Sequence, residues 1–225
     1  MAAILKLGSL LFLGIGVFVL IQAFMPILSY QYWELTTYRN NLALSSPVVA
    51  GPSNGFFQGQ VLGVSIAQAN EQLVSGLVAT QRTYKPNFDT FTLSIPKLKI
   101  DKAIVKVDSE DPNQSLVLLP GTALPGEKGN VFIAGHSNYW QLFGTGDTRY
   151  LTIFKNLNTL EKGDKISVTA QGQTFHYRVT GMKIVDPKDV SVINPPDDRG
   201  RYISLMTCVP PGTFMKRLII LGELE

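Results

Sequence analysis

The 225-residue sequence has one cysteine and two histidines, and only 16% of its residues are charged. A single cysteine cannot close an intramolecular disulfide, so an apolar core has to hold the fold whatever the redox state of its surroundings. The net charge of +3 is small, and the lysines and arginines are scattered, with no basic run of the kind that tracks a nucleic-acid backbone. Internal repeats and coiled-coil heptads are missing. So is the strand–helix alternation of a doubly wound α/β sheet. What remains is a chain with 45% hydrophobic and 10% aromatic residues, enough for one packed domain plus a sizeable appendage.

The appendage comes first. Leu7 to Leu28, LGSLLFLGIGVFVLIQAFMPIL, carries no charge. At about 1.5 Å per residue it is long enough to cross a hydrocarbon core of about 30 Å. It runs into Tyr30, Tyr32 and Trp33, an interfacial aromatic cluster where a cleaved signal peptide has small residues, and this predicts a retained membrane anchor. Because the bulk of the chain follows it, the expected topology is a single pass in the cell membrane, N-terminus inside and the rest outside the cytoplasm. The expected divisions are 1–39 for the anchor and interfacial segment, 40–87 for a spacer and 88–225 for the main domain. Asn40 to Gly63 is uncharged, rich in Ser, Pro and Gly, and without period. Ile66, Leu73, Val74, Leu77 and Val78 fall near helical spacing and predict a short amphipathic helix, either packed on the domain or serving as a movable cover.

From Phe91 onward, short apolar runs alternate with turn residues: FTLSI, AIVKV, NVFIAG, KISVTA, TFHYRVTGMKIV, RYISLMT and RLIILGEL. Their brevity and spacing predict an all-β barrel or sandwich. Only LTIFKNLNTLEKGD, with Phe154, Leu157 and Leu160 at intervals of three, reads as a helical turn between strands.

The lone thiol lies in ISLMTCVPPGTFMKRLII. Pro210 and Pro211 cannot continue a central strand, so Cys208 ends one, and KRLIILGEL is placed to return as an antiparallel neighbour bringing Arg217 toward it. A cation there favours thiolate over thiol, which makes Cys208 a candidate nucleophile; a small buried core residue is the other reading. A cysteine nucleophile also needs a proton donor for the leaving group. His136 closes NVFIAGHS at a strand end, where functional side chains gather. His176 sits inside the alternating strand TFHYRV and is expected to be exposed or hydrogen-bonded.

These residues resemble a sortase, the membrane-anchored cysteine transpeptidase family of bacterial envelopes. SLMTC, Ser204 to Cys208, is similar to the family's TLxTC signature, with Ser204 in place of its opening threonine, and Arg217 in KRLII stands where the family's arginine is expected. LSIPKLKID (Leu93 to Asp101), LPGTALPGEKGNVFIAGHS (Leu119 to Ser137), the FxxLxxLxxGD pattern (Phe154 to Asp164) and the GEL ending follow the family in order. The resemblance implies an all-β, eight-stranded sortase-type barrel with short helices and a Cys208, His136 and Arg217 site. It also implies cleavage of an LPxTG-like sorting signal through a thioacyl intermediate. The acyl group would pass to an amine from a peptidoglycan precursor or a pilin lysine, attaching proteins to the cell wall or to pilin. Thr207 and Ser137 are candidate substrate-binding residues, an ordinary strand threonine being the other reading of Thr207.

The resemblance leaves the class undecided. The segment after His136 is long and aromatic, and Tyr139, Trp140 and Phe143 are candidates to line the groove or to pack on the barrel. TYKPNF, Thr83 to Phe88, is a candidate cover for the cleft, and the loop Pro187 to Arg201 is expected to shape the sorting-signal pocket. Glu110, Asp111, Asp186, Asp189, Asp197 and Asp198 occupy loops where some sortases bind calcium; solvated loops are the plainer reading, and no cofactor or metal ligand is assigned. Two alternatives stay open: a cysteine hydrolase that passes the acyl group to water, and a catalytically silent envelope-binding domain on the same barrel.

Overall fold

The computed structural model describes residues 2–33, 35–36, 82–138 and 149–225. Helix α1 spans Ala2–Trp33. The strands are β1 (Thr90–Ile95), β2 (Ile100–Lys106), β3 (Leu116–Leu118), β4 (Gly129–Ala134), β5 (Lys165–Ala170), β6 (Gln173–Val185), β7 (Arg201–Val209) and β8 (Lys216–Leu224). They close in the order β1-β2-β3-β4-β7-β8-β6-β5, with β5 pairing back onto β1. Closure removes the sheet edges that an open all-β domain would leave unpaired. β2–β3 and β4–β7 are parallel and the remaining pairs antiparallel.

The sequence pattern explains which strands lie where. β1 and β5 alternate, burying Phe91, Leu93 and Ile95 in one and Ile166, Val168 and Ala170 in the other. β4 and β7 instead are buried along nearly their whole length, as expected for strands covered on both faces. One face of β4, β7 and β8 gives Phe132, Ala134, Met206, Cys208 and Ile219 to an apolar cluster completed by Val117, Leu119, Val185 and Ile193. With side chains alternating along a strand, Ile133, Leu205, Thr207, Leu218 and Ile220 point to the opposite face and are equally buried. Ile193 comes from the 3₁₀ turn Val190–Ile193 in the β6–β7 connection. That connection is therefore the layer over the face that carries the thiol.

Three further 3₁₀ turns, Pro96–Leu98, Arg149–Leu151 and Leu157–Thr159, are the short helices among the described residues of the barrel domain. The last accounts for the three-residue spacing of Phe154, Leu157 and Leu160: side chains three apart eclipse in this geometry, and all three are fully buried.

The chain divides into residues 1–41 and 42–225. Among the described residues no helix is long and apolar enough to cross a membrane. The spacer at 40–63 and the amphipathic helix at 66–78 lie outside the described residues, as do Tyr139, Trp140 and Phe143.

TYKPNF departs from expectation. Arg82 pins the segment, donating its backbone N–H to Gly121 O at 2.9 Å, Nε to Thr122 O at 3.1 Å and Nη1 to Tyr84 O at 2.7 Å, and pairing with Asp108. Tyr84 then bonds Glu127, just before the start of β4. His136 follows the opposite end of that strand, so Thr83 to Phe88 runs away from the thiol and is not a cover over it.

Candidate functional site: a thiol between two strands

The β4–β7 ladder runs in constant register from Gly129 opposite Arg201 to Ala134 opposite Met206. It continues past the end of β4, where Gly135 N–H donates to Met206 O at 3.1 Å and Thr207 Oγ1 to Gly135 O at 2.8 Å. The same register sets His136 beside Cys208, roughly one strand spacing of about 4.8 Å away in the backbone. On the other side of β7, Cys208 pairs directly with Arg217 of β8, and directly opposed residues in an antiparallel pair share a face. Cysteine thus occupies the middle strand, with the imidazole-bearing residue and the guanidinium-bearing residue on its two neighbours.

The frame around His136 is held from four directions. Its own carbonyl accepts from Phe154 N–H at 3.0 Å, and Gly135 is fixed by the bonds just described. Ser137 Oγ donates to Cys208 O at 2.6 Å, while Ser137 O accepts from Gly212 N–H at 3.1 Å. Gly212 belongs to the Pro210–Thr213 turn, closed by Thr213 N–H to Pro210 O at 3.0 Å. Its φ of 77° is the conformation that the third residue of a type II turn requires and glycine supplies. Gly135 is needed for space: a Cβ there would lie 2.4 Å from Leu116 Cδ2 and 2.8 Å from Phe154 Cδ2.

Both hydroxyls expected at the substrate therefore already bond the backbone. Thr207 and Ser137 are buried and clamp β4 to β7 on either side of the His136–Cys208 pair. This use was not legible from spacing, because it depends on a parallel pairing between segments about seventy positions apart. Gly135 was passed over for the same reason, although AGHS put a glycine directly before the histidine.

Cys208 is 4% exposed and Arg217 8%. Burial among apolar neighbours pushes the thiol above its ordinary pKa, and the Arg217 charge only partly offsets this. Burial likewise pulls the His136 imidazole below its ordinary value, opposed by the Asp111 carboxylate. His136 Nε2 is buried without a hydrogen-bond partner among the described residues. Arg217 Nη1 donates weakly to Phe214 O at 3.3 Å and Lys216 O at 3.4 Å, and none of the ion pairs among the described residues includes it. The site accordingly combines a buried thiol, an imidazole and a buried cation that no ion pair among the described residues includes. His176 is exposed and bonded to Ser167 Oγ at 3.0 Å through Nδ1, near the opposite end of β6 from Val185, the residue of that strand that joins the Cys208 cluster.

The loop carboxylates serve local turns. Asp111 Oδ1 accepts from Asn113, Asp186 from Lys188 N–H, Asp189 from Ser191, and Asp197 from Arg199 and Gly200 N–H and the Tyr202 hydroxyl. Among the described residues no group of three or more His, Cys, Asp or Glu is placed to hold a metal ion.

The sortase-domain family model matches residues 93–225. Sortase D of Bacillus subtilis is 30% identical over 135 residues, covering 58% of this chain and 61% of that protein. Sortase A of Bacillus anthracis is 30% identical over 138 residues, 59% of this chain and 58% of its own. Among solved structures, a lid mutant of sortase A from Corynebacterium diphtheriae superposes with a TM-score of 0.52 at 28% identity, covering 64% of this chain and 73% of its own. The chain thus spans about three fifths of the length of these curated relatives.

Proposed function

The chain belongs to the sortase family, and on that premise we propose that it is a cysteine transpeptidase acting on an LPxTG-like sorting signal. The observation that carries this is the register that puts His136 and Arg217 on either side of Cys208. The Cys208 thiolate attacks the carbonyl carbon after the signal's threonine. Arg217 stabilises the resulting oxyanion, and His136 delivers its proton to the departing glycine amine as the C–N bond breaks. A primary amine, from a peptidoglycan precursor or a pilin lysine, attacks the thioester. His136 takes up its proton, and the new amide leaves Cys208 as thiolate. The reaction so written needs no metal. Thr207 and Ser137 hold the two reacting groups in register, and the Val190–Ile193 turn closes the apolar side of the groove.

Helix Ala2–Trp33 is, on the same proposal, the anchor that holds the enzyme in the cell membrane with the barrel outside the cytoplasm. Its 32 residues and the uncharged run Leu7 to Leu28 support that reading. Membrane fractionation and protease protection in spheroplasts test it: release of the protein by carbonate washing, or a shielded barrel, rejects it.

The activity is tested by incubating the full chain with an LPxTG peptide and a primary amine and following products by mass spectrometry. Ligated product that disappears in Cys208→Ala is the expected result. Hydrolysis indifferent to the amine identifies a hydrolase instead, and absence of both products a silent domain.

A further inference from the structure

The segment pinned by Arg82 forms one wall of a second cleft. Its other walls are the loop Leu124–Glu127 and the β5–β6 hairpin, and together they enclose a cavity of about 490 Å³, within the usual range for small-ligand sites. The walls are tied together. Gln171 Nε2 donates to Asn87 Oδ1 at 2.9 Å, Tyr84 bonds Glu127, and Glu127 Oε2 accepts from Leu124 N–H at 2.9 Å. This cleft is not part of the thiol site. β6 leaves it at Gln173 and reaches Val185, opposite Arg217, after about 40 Å of strand.

The lining has a particular chemistry. Tyr84, Phe88 and Phe175 are its aromatic lining and Asn87, Gln171 and Gln173 its side-chain amides, with the Arg82 guanidinium 5.6 Å from the Tyr84 ring centroid and the Phe175 ring packed on Gly126. Lys85 and Glu127 contribute one charge of each sign, so the cleft has no net field to concentrate a phosphate or a divalent cation. The amides make it too polar for a lipid chain. The Gln171–Asn87 bond leaves Asn87 Nδ2 as donor and Gln171 Oε1 as acceptor, with the Gln173 amide beside them, for neighbouring hydroxyls, and the negative face of an aromatic ring suits the polarised C–H face of a sugar ring.

The hairpin turn adds an independent point. Gln171 and Gly172 have φ of 49° and 78°, the type I′ arrangement that favours Asn, Asp or Gly at both positions. A glutamine held in the left-handed region is conformationally unfavourable, and such outliers concentrate where a side chain is used. This one projects its amide onto Asn87, across the cleft.

We propose that the cleft is a saccharide-binding site for a neutral oligosaccharide, the rings stacking on Tyr84 and Phe175 and the hydroxyls and acetamido groups pairing with Asn87, Gln171 and Gln173. It acts independently of Cys208, so its test is separate from that of transpeptidation. The full chain in a non-glycosidic detergent is titrated with tri-N-acetylchitotriose and followed by saturation-transfer difference NMR. Saturable binding is expected in the wild type, with the apparent Kd raised at least about tenfold in Gln171→Gly and in Tyr84→Ala. Gln171→Gly removes the amide while relieving the positive φ, so its Tm is expected to equal or exceed the wild type, which separates lost binding from lost folding. No saturable binding up to about 10 mM, or variants that bind like the wild type, overturns the proposal.

Discussion

Burial moves the two titrating groups of the site apart, and this sets a specific pH behaviour. With ordinary values of about 8.5 for a thiol and about 6.5 for an imidazole, the thiolate–imidazolium pair is only about 1% of the molecules at its optimum. In the barrel the thiol is higher and the imidazole lower, so the neutral pair dominates over a wider range and the active fraction falls below that figure. The plot of kcat/KM against pH is expected to be a broad bell. Its acid limb, where His136 loses its proton, lies below the ordinary imidazole value, and its basic limb, where Cys208 ionises, lies above the ordinary thiol value. Arg217→Gln removes the charge that holds the thiol down, so the basic limb moves further up. At the optimum the rate falls about a hundred- to a thousandfold if the guanidinium also serves the oxyanion. Iodoacetamide alkylation, which reads thiolate without substrate, should titrate with the basic limb in both proteins. Alkylation already complete near neutral pH, or a basic limb indifferent to Arg217→Gln, would refute the reasoning.

Three further variants probe the frame. Ser137→Ala leaves the buried Cys208 carbonyl without its 2.6 Å donor and is expected to cost about 1–3 kcal/mol of stability and to lower kcat more than KM, with Ser137→Thr restoring both. Gly135→Ala forces a methyl group against Leu116 and Phe154; overpacking of about 1–3 kcal/mol should appear as a lower Tm, and displacement of His136 as a change in the acid limb. Ile193→Ser wets the apolar cluster around the thiol, which should bring the alkylation pKa down and raise the ratio of hydrolysed to ligated peptide. An unchanged product ratio would mean that this turn does not control water.

Seven of the eight strands were readable because each carries its own signal; β3, only the three residues Leu116–Leu118, was not read. FTLSI and KISVTA alternate as half-buried strands do, and NVFIAG and ISLMTCV lack alternation because they are covered twice. Cys208 and Arg217 could be paired in advance since a short Pro-Pro-Gly turn joins their strands, making the contact nearly local. His136 could be nominated from its strand end, but its position beside Cys208 rests on a parallel pairing that crosses two other strands. The same long crossover hid the clamping bonds of Thr207 and Ser137. TYKPNF misled because nothing local in it shows that Arg82 will bury its guanidinium against Gly121, Thr122 and Asp108 and so fix the segment at the wrong end of β4 for a cover.

In the proposed mechanism an apolar setting for the thiolate has a kinetic cost, and Arg217 is the group that would offset it. A pKa gap of about 2 units or more holds the ion pair at least about 2.7 kcal/mol above the neutral pair. An oxyanion donor in a water-poor site is worth about 2.7–4 kcal/mol, because a cation acts more strongly where the local dielectric is low. Arg217 meets that condition, being buried and outside the ion pairs among the described residues. An exposed pair already bears a gap of about 2 units and burial widens it, so in the proposed mechanism the Arg217 contribution works against what burial adds. On the proposed transpeptidation, the apolar cluster around Cys208 would keep water from a thioester waiting for an amine, and selectivity rather than speed would be what it provides.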